Sequence, residues 1–181
     1  HMFLTNRLLP LMSESFNSRV VTVTSAAQYI AKINWNDLQG CVKYDPWFSY
    51  AQSKLINVMF ALQLQDQFNN RKIQVKSLLA HPGIAKTNLQ SSSVWAGRSN
   101  NFKEALNELI SPIFQDAQMG ALSQIMASTL PNVRGGEQYG PRFNFRGRPK
   151  VCGIAPYALN EDARKRIWEV SEMLINRYIK D

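Results

Sequence analysis

Two short runs limit most strongly what this chain can fold into. The stretch "RVVTVTS" at 19–25 is dense in β-branched residues and closes on small polar ones, the pattern of a buried strand running into a loop. The stretch "KIQVKSLLA" at 72–80 alternates, then turns apolar, and His81-Pro82-Gly83 stops it sharply. Between them, from Ser49 or Tyr50 to about Asn69, the residues Leu55, Val58, Met59, Leu62 and Leu64 recur at helical spacing. Strand, long helix and strand in that order predict an α/β architecture with a parallel sheet.

The flanks extend the pattern. Residues 3–16 read as a helix, apolar at Phe3, Leu4, Leu8, Leu9, Leu11 and Met12, with Pro10 set to kink or shorten it. Residues 26–48 hold Gly40, Asp45 and Pro46 with little period and read as a long connection. The Ser/Asn-rich segment 88–101 reads as a loop, followed by helical patterns near 102–110 and 114–129. "GGEQYGPRFNF" suggests a last short strand, and 160–180 a closing helix with Asn160 as its N-cap. The expected fold is a single domain over 1–181: a doubly wound parallel sheet of about three strands with flanking helices, incomplete for its type.

With 181 residues, 45% hydrophobic and 19% charged, the chain has enough material for one core and an ordinary composition. No stretch is long and apolar enough to span a bilayer, and the first residues, interrupted by Arg7 and Pro10, do not resemble a secretory signal. Cys41 and Cys152 lie 111 positions apart, without CxxC spacing or a His cluster. Neither a disulfide nor a structural metal is indicated, and a reducing, cytoplasmic setting is expected. The net charge of +8 is mostly scattered. One knot, "PRFNFRGRPK", interleaves Arg142, Arg146, Arg148 and Lys150 with Phe143 and Phe145. Such a knot can be a single-strand nucleic-acid platform. No nucleic-acid module surrounds it, so the preferred reading is a strand ending in a basic loop, with the phenylalanines facing a core.

Tyr50 and Lys54 in "YAQSK" sit at i and i+4, on one helical face. Alone the pair says little: with six Tyr and ten Lys in the chain, chance supplies about a third of such a match. Position gives it meaning. Parallel strands of a doubly wound sheet end at one edge, where ligands bind. Ser25, the Tyr50/Lys54 helix and the Pro82-Gly83 turn would converge there. That set suits proton transfer to a carbonyl or from an alcohol, because an ammonium lowers the phenol's normally high pKa and a serine hydroxyl can hold the substrate oxygen.

The segments "RVVTVTSAA", "YAQSK" and "LLAHPGIAKT" together resemble the short-chain dehydrogenase/reductase family, over nearly the whole chain. The 25-residue gap between Ser25 and Tyr50 and the run "YGP…FRGRPK…WEVSEML" are similar to its retinol-dehydrogenase-like branch. The resemblance implies a Rossmann-like fold and an NAD(P)-dependent oxidoreductase interconverting an alcohol and a carbonyl, with an apolar substrate. It further implies that Ser25 orients the carbonyl, that Tyr50 is the general acid/base, and that Lys54 holds the nicotinamide ribose and tunes the tyrosine. Pro82, Gly83 and Ile84 would pass the nicotinamide, and Thr87 would bond its carboxamide or phosphate side. Thr24 would support the site from behind, and His81 would pack before the turn. Trp47 and the 88–101 segment would lie near the substrate mouth, and a substrate-loop region would span about 88–130.

The family's glycine-rich turn, T-G-x-x-x-G-x-G, does not occur among the nine glycines. The resemblance therefore implies the C-terminal part of the fold, short of some four strands, on the order of 100 residues. Three expectations follow. The 19–25 strand is an edge that invites oligomerisation or a missing segment, NAD or NADP binds weakly to these 181 residues alone, and turnover by them alone is low. The alternative is a non-catalytic dimerisation or interaction module built on the helices at 3–16 and 50–69. Nucleic-acid binding through "PRFNFRGRPK" would need a steep salt dependence to be revived.

Overall fold

The computed structural model describes residues 1–83 and 115–179. Helix α1 (Met2–Ser13) leads into strand β1 (Arg19–Val23), a short 3-10 turn (Ala26–Tyr29) and helix α2 (Pro46–Asn70). Strand β2 (Lys76–Ala80), helix α3 (Ala117–Thr129), strands β3 (Gln138–Pro141) and β4 (Pro149–Cys152), a second 3-10 turn (Pro156–Leu159) and helix α4 (Glu161–Ile179) follow. The expected helix near 102–110 lies outside the described residues.

The sheet runs β1-β2-β3-β4. The first three strands are parallel, with Val23 opposite Ala80 and Ala80 opposite Tyr139. β4 is antiparallel to β3, pairing Tyr139 with Val151. The sheet is thus mixed and has one strand more than the sequence pattern predicts. "PRFNFRGRPK" is not a strand that fades into a loop; it is a hairpin turn. Asn144 and Gly147 take left-handed backbone angles, φ 63° and 108°, that fold the chain back on itself. Arg142 N–H donates to the Arg148 carbonyl at 3.0 Å and Phe143 N–H to the Arg146 carbonyl at 3.2 Å. Phe143 and Phe145 therefore face outward, contrary to the expectation that they enter a core.

Helices cover both faces. On one, α2 lays Leu55, Val58 and Met59 against Leu79, with Ala158 and Ile167 completing the cluster. Further along α2, Phe60 stacks on Trp168 of α4 with centroids 5.8 Å apart, and Leu64 and Phe68 continue the seam. On the other face, Ala127 and Met126 of α3 pack on Leu78, Ala80 and Tyr139. Burial of this kind contributes roughly 1.5–3 kcal/mol per large apolar side chain. Arg164 is also buried; it donates to the Ala158 and Leu159 carbonyls and pairs with Asp66 at 2.9 Å.

Capping accounts for where the helices begin. The Asp45 carboxylate accepts the Phe48 N–H at 2.7 Å and Pro46 opens the first turn, so α2 starts one turn before Ser49. Asn160 caps α4 by accepting the Ala163 N–H at 2.9 Å, as its position predicts. α1 ends at Ser13, three residues earlier than its apolar pattern, with Pro10 in its last turn. Among the described residues no helix is long and apolar enough to cross a membrane.

Candidate active site

The parallel strands β1, β2 and β3 end at one edge, and the candidate residues gather along it. β1 hands the chain to Thr24 and Ser25. The buried Thr24 hydroxyl donates to the Lys54 carbonyl at 2.8 Å, and its N–H donates to the Ala80 carbonyl. Asn57 of α2 adds a bond to the Val23 carbonyl at 3.0 Å. Two side chains thus fasten the end of β1 to the turns of α2 that carry Lys54. Thr24, expected only as support, is one of these fasteners. Ser25, next to it, begins the first 3-10 turn and its hydroxyl oxygen accepts the Ala27 N–H at 3.3 Å. It is half-buried, as are Tyr50 and Lys54.

The Lys54 ammonium lies 5.5 Å from the centre of the Tyr50 ring. Burial lowers the lysine's pKa from its ordinary value, because a cation loses hydration there. No carboxylate pairs with it among the described residues. Trp47, one turn earlier, stacks on Tyr50 at 6.0 Å and is half exposed. The connection 30–44 is pinned over the start of α2. Gln52 accepts the Asn34 N–H and donates to the Leu38 carbonyl. The Asp37 carboxylate accepts the N–H groups of Lys43, Val42 and Cys41, which hold its pKa below the usual value.

β2 ends at His81, Pro82 and Gly83. Gly83 has φ 70°, and a Cβ there would run into the Phe145 carbonyl oxygen, so the position requires glycine on two grounds. Ile84, Thr87 and the 88–101 segment lie outside the described residues. His81, expected to be a packing residue, is fully buried. Its Nδ1 accepts the Gly83 N–H at 3.4 Å and its Nε2 faces Cys152 Sγ at 3.6 Å. Burial lowers its pKa to about 4, so the ring is neutral near pH 7.

Sequence reasoning missed the polar chain behind this turn. The Gln138 amide donates to the Gly153 carbonyl at 2.6 Å and to Cys152 Sγ at 3.4 Å, and accepts from Gln28 at 2.9 Å. Tyr29 also donates to the Gly153 carbonyl, at 2.6 Å. Burial, then the neighbouring Cys152 charge, raises the Tyr29 pKa. The chain therefore runs from the Pro82-Gly83 turn to the 3-10 turn that Ser25 opens. Gln115, also missed, donates to the Pro82 carbonyl and accepts the Gly147 N–H at 3.1 Å, tying the 142–148 hairpin to the same turn. None of these glutamines carries a spacing signal; tertiary contact alone brings them together.

These features are those of a Rossmann-like α/β protein whose strand-end serine, Tyr/Lys helix and Pro-Gly turn share one edge. No family model matches the chain. Among curated proteins it is 30% identical to retinol dehydrogenase 14 of Homo sapiens over 179 residues, covering 97% of this chain and 49% of that protein. It is 37% identical to polyprenol dehydrogenase of Mus musculus over 172 residues, covering 93% and 48%. The crystal structure of an uncharacterized protein from Mycobacterium paratuberculosis superposes with a TM-score of 0.72 at 31% identity, covering 94% of this chain and 53% of that one. The chain spans about half the length of the curated relatives it matches. It is related to the retinol-dehydrogenase-like short-chain dehydrogenases/reductases, and resembles their C-terminal half.

Proposed function

We propose that this chain carries the proton-transfer and nicotinamide-facing residues of an NAD(P)-dependent dehydrogenase acting on an apolar alcohol or its carbonyl counterpart. The observation that carries the reading is Lys54. A half-buried ammonium without a carboxylate partner among the described residues, beside a phenol on the same helix face, is costly unless something else uses its charge. The hydroxyls of a ribose and the oxygen of Tyr50 would use it, and this donor chemistry fits the nicotinamide end of the cofactor. A phosphate cradle of the G-x-x-x-G-x-G type is not in these 181 residues. When bound, the cofactor supplies hydride exchange with the substrate carbon.

The residues of this chain then have distinct tasks. In the oxidative direction the Ser25 hydroxyl holds the substrate oxygen and the Tyr50 oxygen takes the alcohol proton, while the C–H pair leaves as hydride and the carbonyl forms. In reduction Tyr50 returns the proton to the new alkoxide. Lys54 offsets the negative charge on the tyrosine oxygen and bonds the ribose. The Pro82-Gly83 turn would face the nicotinamide. The apolar substrate class rests on the likeness to retinol and polyprenol dehydrogenases. The test is nicotinamide reduction by the full-length protein with long-chain and short water-soluble alcohols, using NAD and NADP separately. Oxidation of the long-chain alcohol with either cofactor is expected; no turnover with any pairing would overturn the reading.

A second reading has its own observation. Phe3, Leu4, Leu8 and Leu11 on α1 are exposed, and β1 is an edge strand among the described residues. A surface of this kind favours association with another chain or segment, so an interaction module is the alternative. Light scattering showing a stable dimer together with no cofactor binding by the full-length protein would favour it.

A further inference from the structure

The turn that ends β2 is held by side chains rather than by the sheet. Among the described residues the last ladder bond at this edge joins the His81 N–H to the Tyr139 carbonyl at 2.9 Å. The next N–H belongs to Gly83, in the peptide it shares with the Pro82 carbonyl, and side chains meet both polar groups of that peptide. The Gln115 amide donates to the Pro82 carbonyl. His81 Nδ1 accepts the Gly83 N–H at 3.4 Å. The peptide is trans, so its C=O and N–H point in opposite directions. Two buried side chains, distant in sequence, therefore grip one peptide plane from its two edges.

Each gripping side chain is itself fixed. Because Nδ1 accepts, the His81 proton sits on Nε2, which faces Cys152 Sγ at 3.6 Å. The ring lies against Gly140 of β3, where a Cβ would strike it. Gln115 is anchored at its other amide atom: its oxygen accepts the Gly147 N–H at 3.1 Å, which settles how the amide is turned. From the same hairpin the Phe145 carbonyl packs on Gly83. One hydrogen bond adds little net stability, and at a half-buried turn water would satisfy the same groups. Two supported side chains add what water does not, a single orientation of the plane.

We infer that His81 and Gln115 are positioning residues, which together fix the plane of the Pro82–Gly83 peptide and through it the distance and tilt of the nicotinamide against the substrate carbon. The inference rests on the reading above that this turn faces the nicotinamide. Both residues act through the peptide and not on the substrate; they set the path of the hydride as Ser25 and Lys54 set that of the proton. Hydride transfer depends steeply on distance and angle, and a misplacement of about 1 Å lowers a rate by about a hundredfold. That loss falls on kcat and leaves alcohol binding alone.

The test is alcohol oxidation by the full-length protein and by Gln115→Met, which keeps the length of the side chain but cannot donate. The expected kcat is lower by about ten- to a hundredfold, with the alcohol KM unchanged and a larger isotope effect for alcohol deuterated at the reacting carbon. Gln115→Glu keeps the acceptor for the Gly147 N–H but turns a carboxylate oxygen on the Pro82 carbonyl, and should fall as far. His81→Asn, which retains an acceptor, should turn over faster than His81→Leu, which has none. Phe60→Leu, remote from the turn in the Phe60–Trp168 stack, controls for lost stability, with every assay run well below the lowest unfolding midpoint. Hydrogen exchange without cofactor gives a readout apart from activity: Gln115→Met should quicken Gly83 and Gly147, Gln115→Glu only Gly83. If Gln115→Met does not fold, Gln115→Glu and the two His81 variants decide by the same criteria. A Gln115→Met kcat no lower than that of Phe60→Leu, a Gln115→Glu protein as active as the parent, equal turnover by the two His81 variants, or unaltered Gly83 exchange would overturn the inference. With an active parent those results strike the positioning role alone; an inactive parent strikes the dehydrogenase reading and this inference with it.

Discussion

Acidification should loosen the turn beside the site through a single residue, His81. The ring is fully buried, and its Nδ1 must be unprotonated to accept the Gly83 N–H. Its Nε2 faces Cys152, whose thiol pKa burial raises, and Cys152 in turn accepts from the Gln138 amide. In the unfolded chain the imidazole takes a proton near 6.5; in the folded protein it does so at about 4. Between those values the unfolded state binds more protons, so stability rises with pH. The contribution is complete above pH 6.5 and is lost as pH falls through that window to about 4. A difference of this size corresponds to about 3 kcal/mol, a sizeable share of the stability of a small domain. The only other histidine is His1, exposed at the chain start, so no second imidazole obscures the effect. The assay is denaturant unfolding at intervals from pH 4 to 7.5, for the parent and for His81→Asn. Asparagine retains an acceptor near Nδ1 but does not titrate. Carboxylates contribute equally to both curves, so the difference isolates His81. The parent should lose about 3 kcal/mol more than the variant across the window; parallel curves would refute the assignment.

Three further outcomes follow from the same geometry. Gly83→Ala meets both a positive φ and the Phe145 carbonyl, and should destabilise by at least about 1–2 kcal/mol, read as a lower thermal midpoint. Thr24→Val removes the buried hydroxyl bond to the Lys54 carbonyl and should cost about 1–3 kcal/mol in denaturant unfolding. Its effect on turnover in the full-length protein should exceed that of an equally destabilising change at the Phe60–Trp168 stack. Asp45→Ala removes the cap of α2 and should cost about 1 kcal/mol, with amide exchange accelerating first over Trp47–Tyr50.

The crossover at 19–80 was readable because its signals are local. β-branched runs, a helical period and a Pro-Gly stop each declare themselves within ten residues or so. The start of α2 was readable too, in Asp45-Pro46, but the apolar period begins later and pulled the boundary inward. β4 was not readable: "PKVC" has an exposed, half-polar pattern, and it is a strand only because Asn144 and Gly147 reverse the chain onto β3. The same reversal sent Phe143 and Phe145 into solvent, where composition alone suggested a core. At the candidate site, spacing and resemblance are what single out Ser25, Tyr50 and Lys54, and the fold sets them along one sheet edge. The bond from Thr24 to Lys54 and the chain from Gln28 through Gln138 to Cys152 and His81 join residues up to 110 positions apart, and no window along the sequence contains them.

The central claim is that Tyr50 moves the proton while Lys54 and Ser25 serve it. Its most direct test is steady-state alcohol oxidation by the full-length protein and its Tyr50→Phe variant, with unfolding of both measured alongside. The account predicts unchanged folding and a turnover lower by at least about a hundredfold. A Tyr50→Phe protein that turns over at the parent's rate would contradict it.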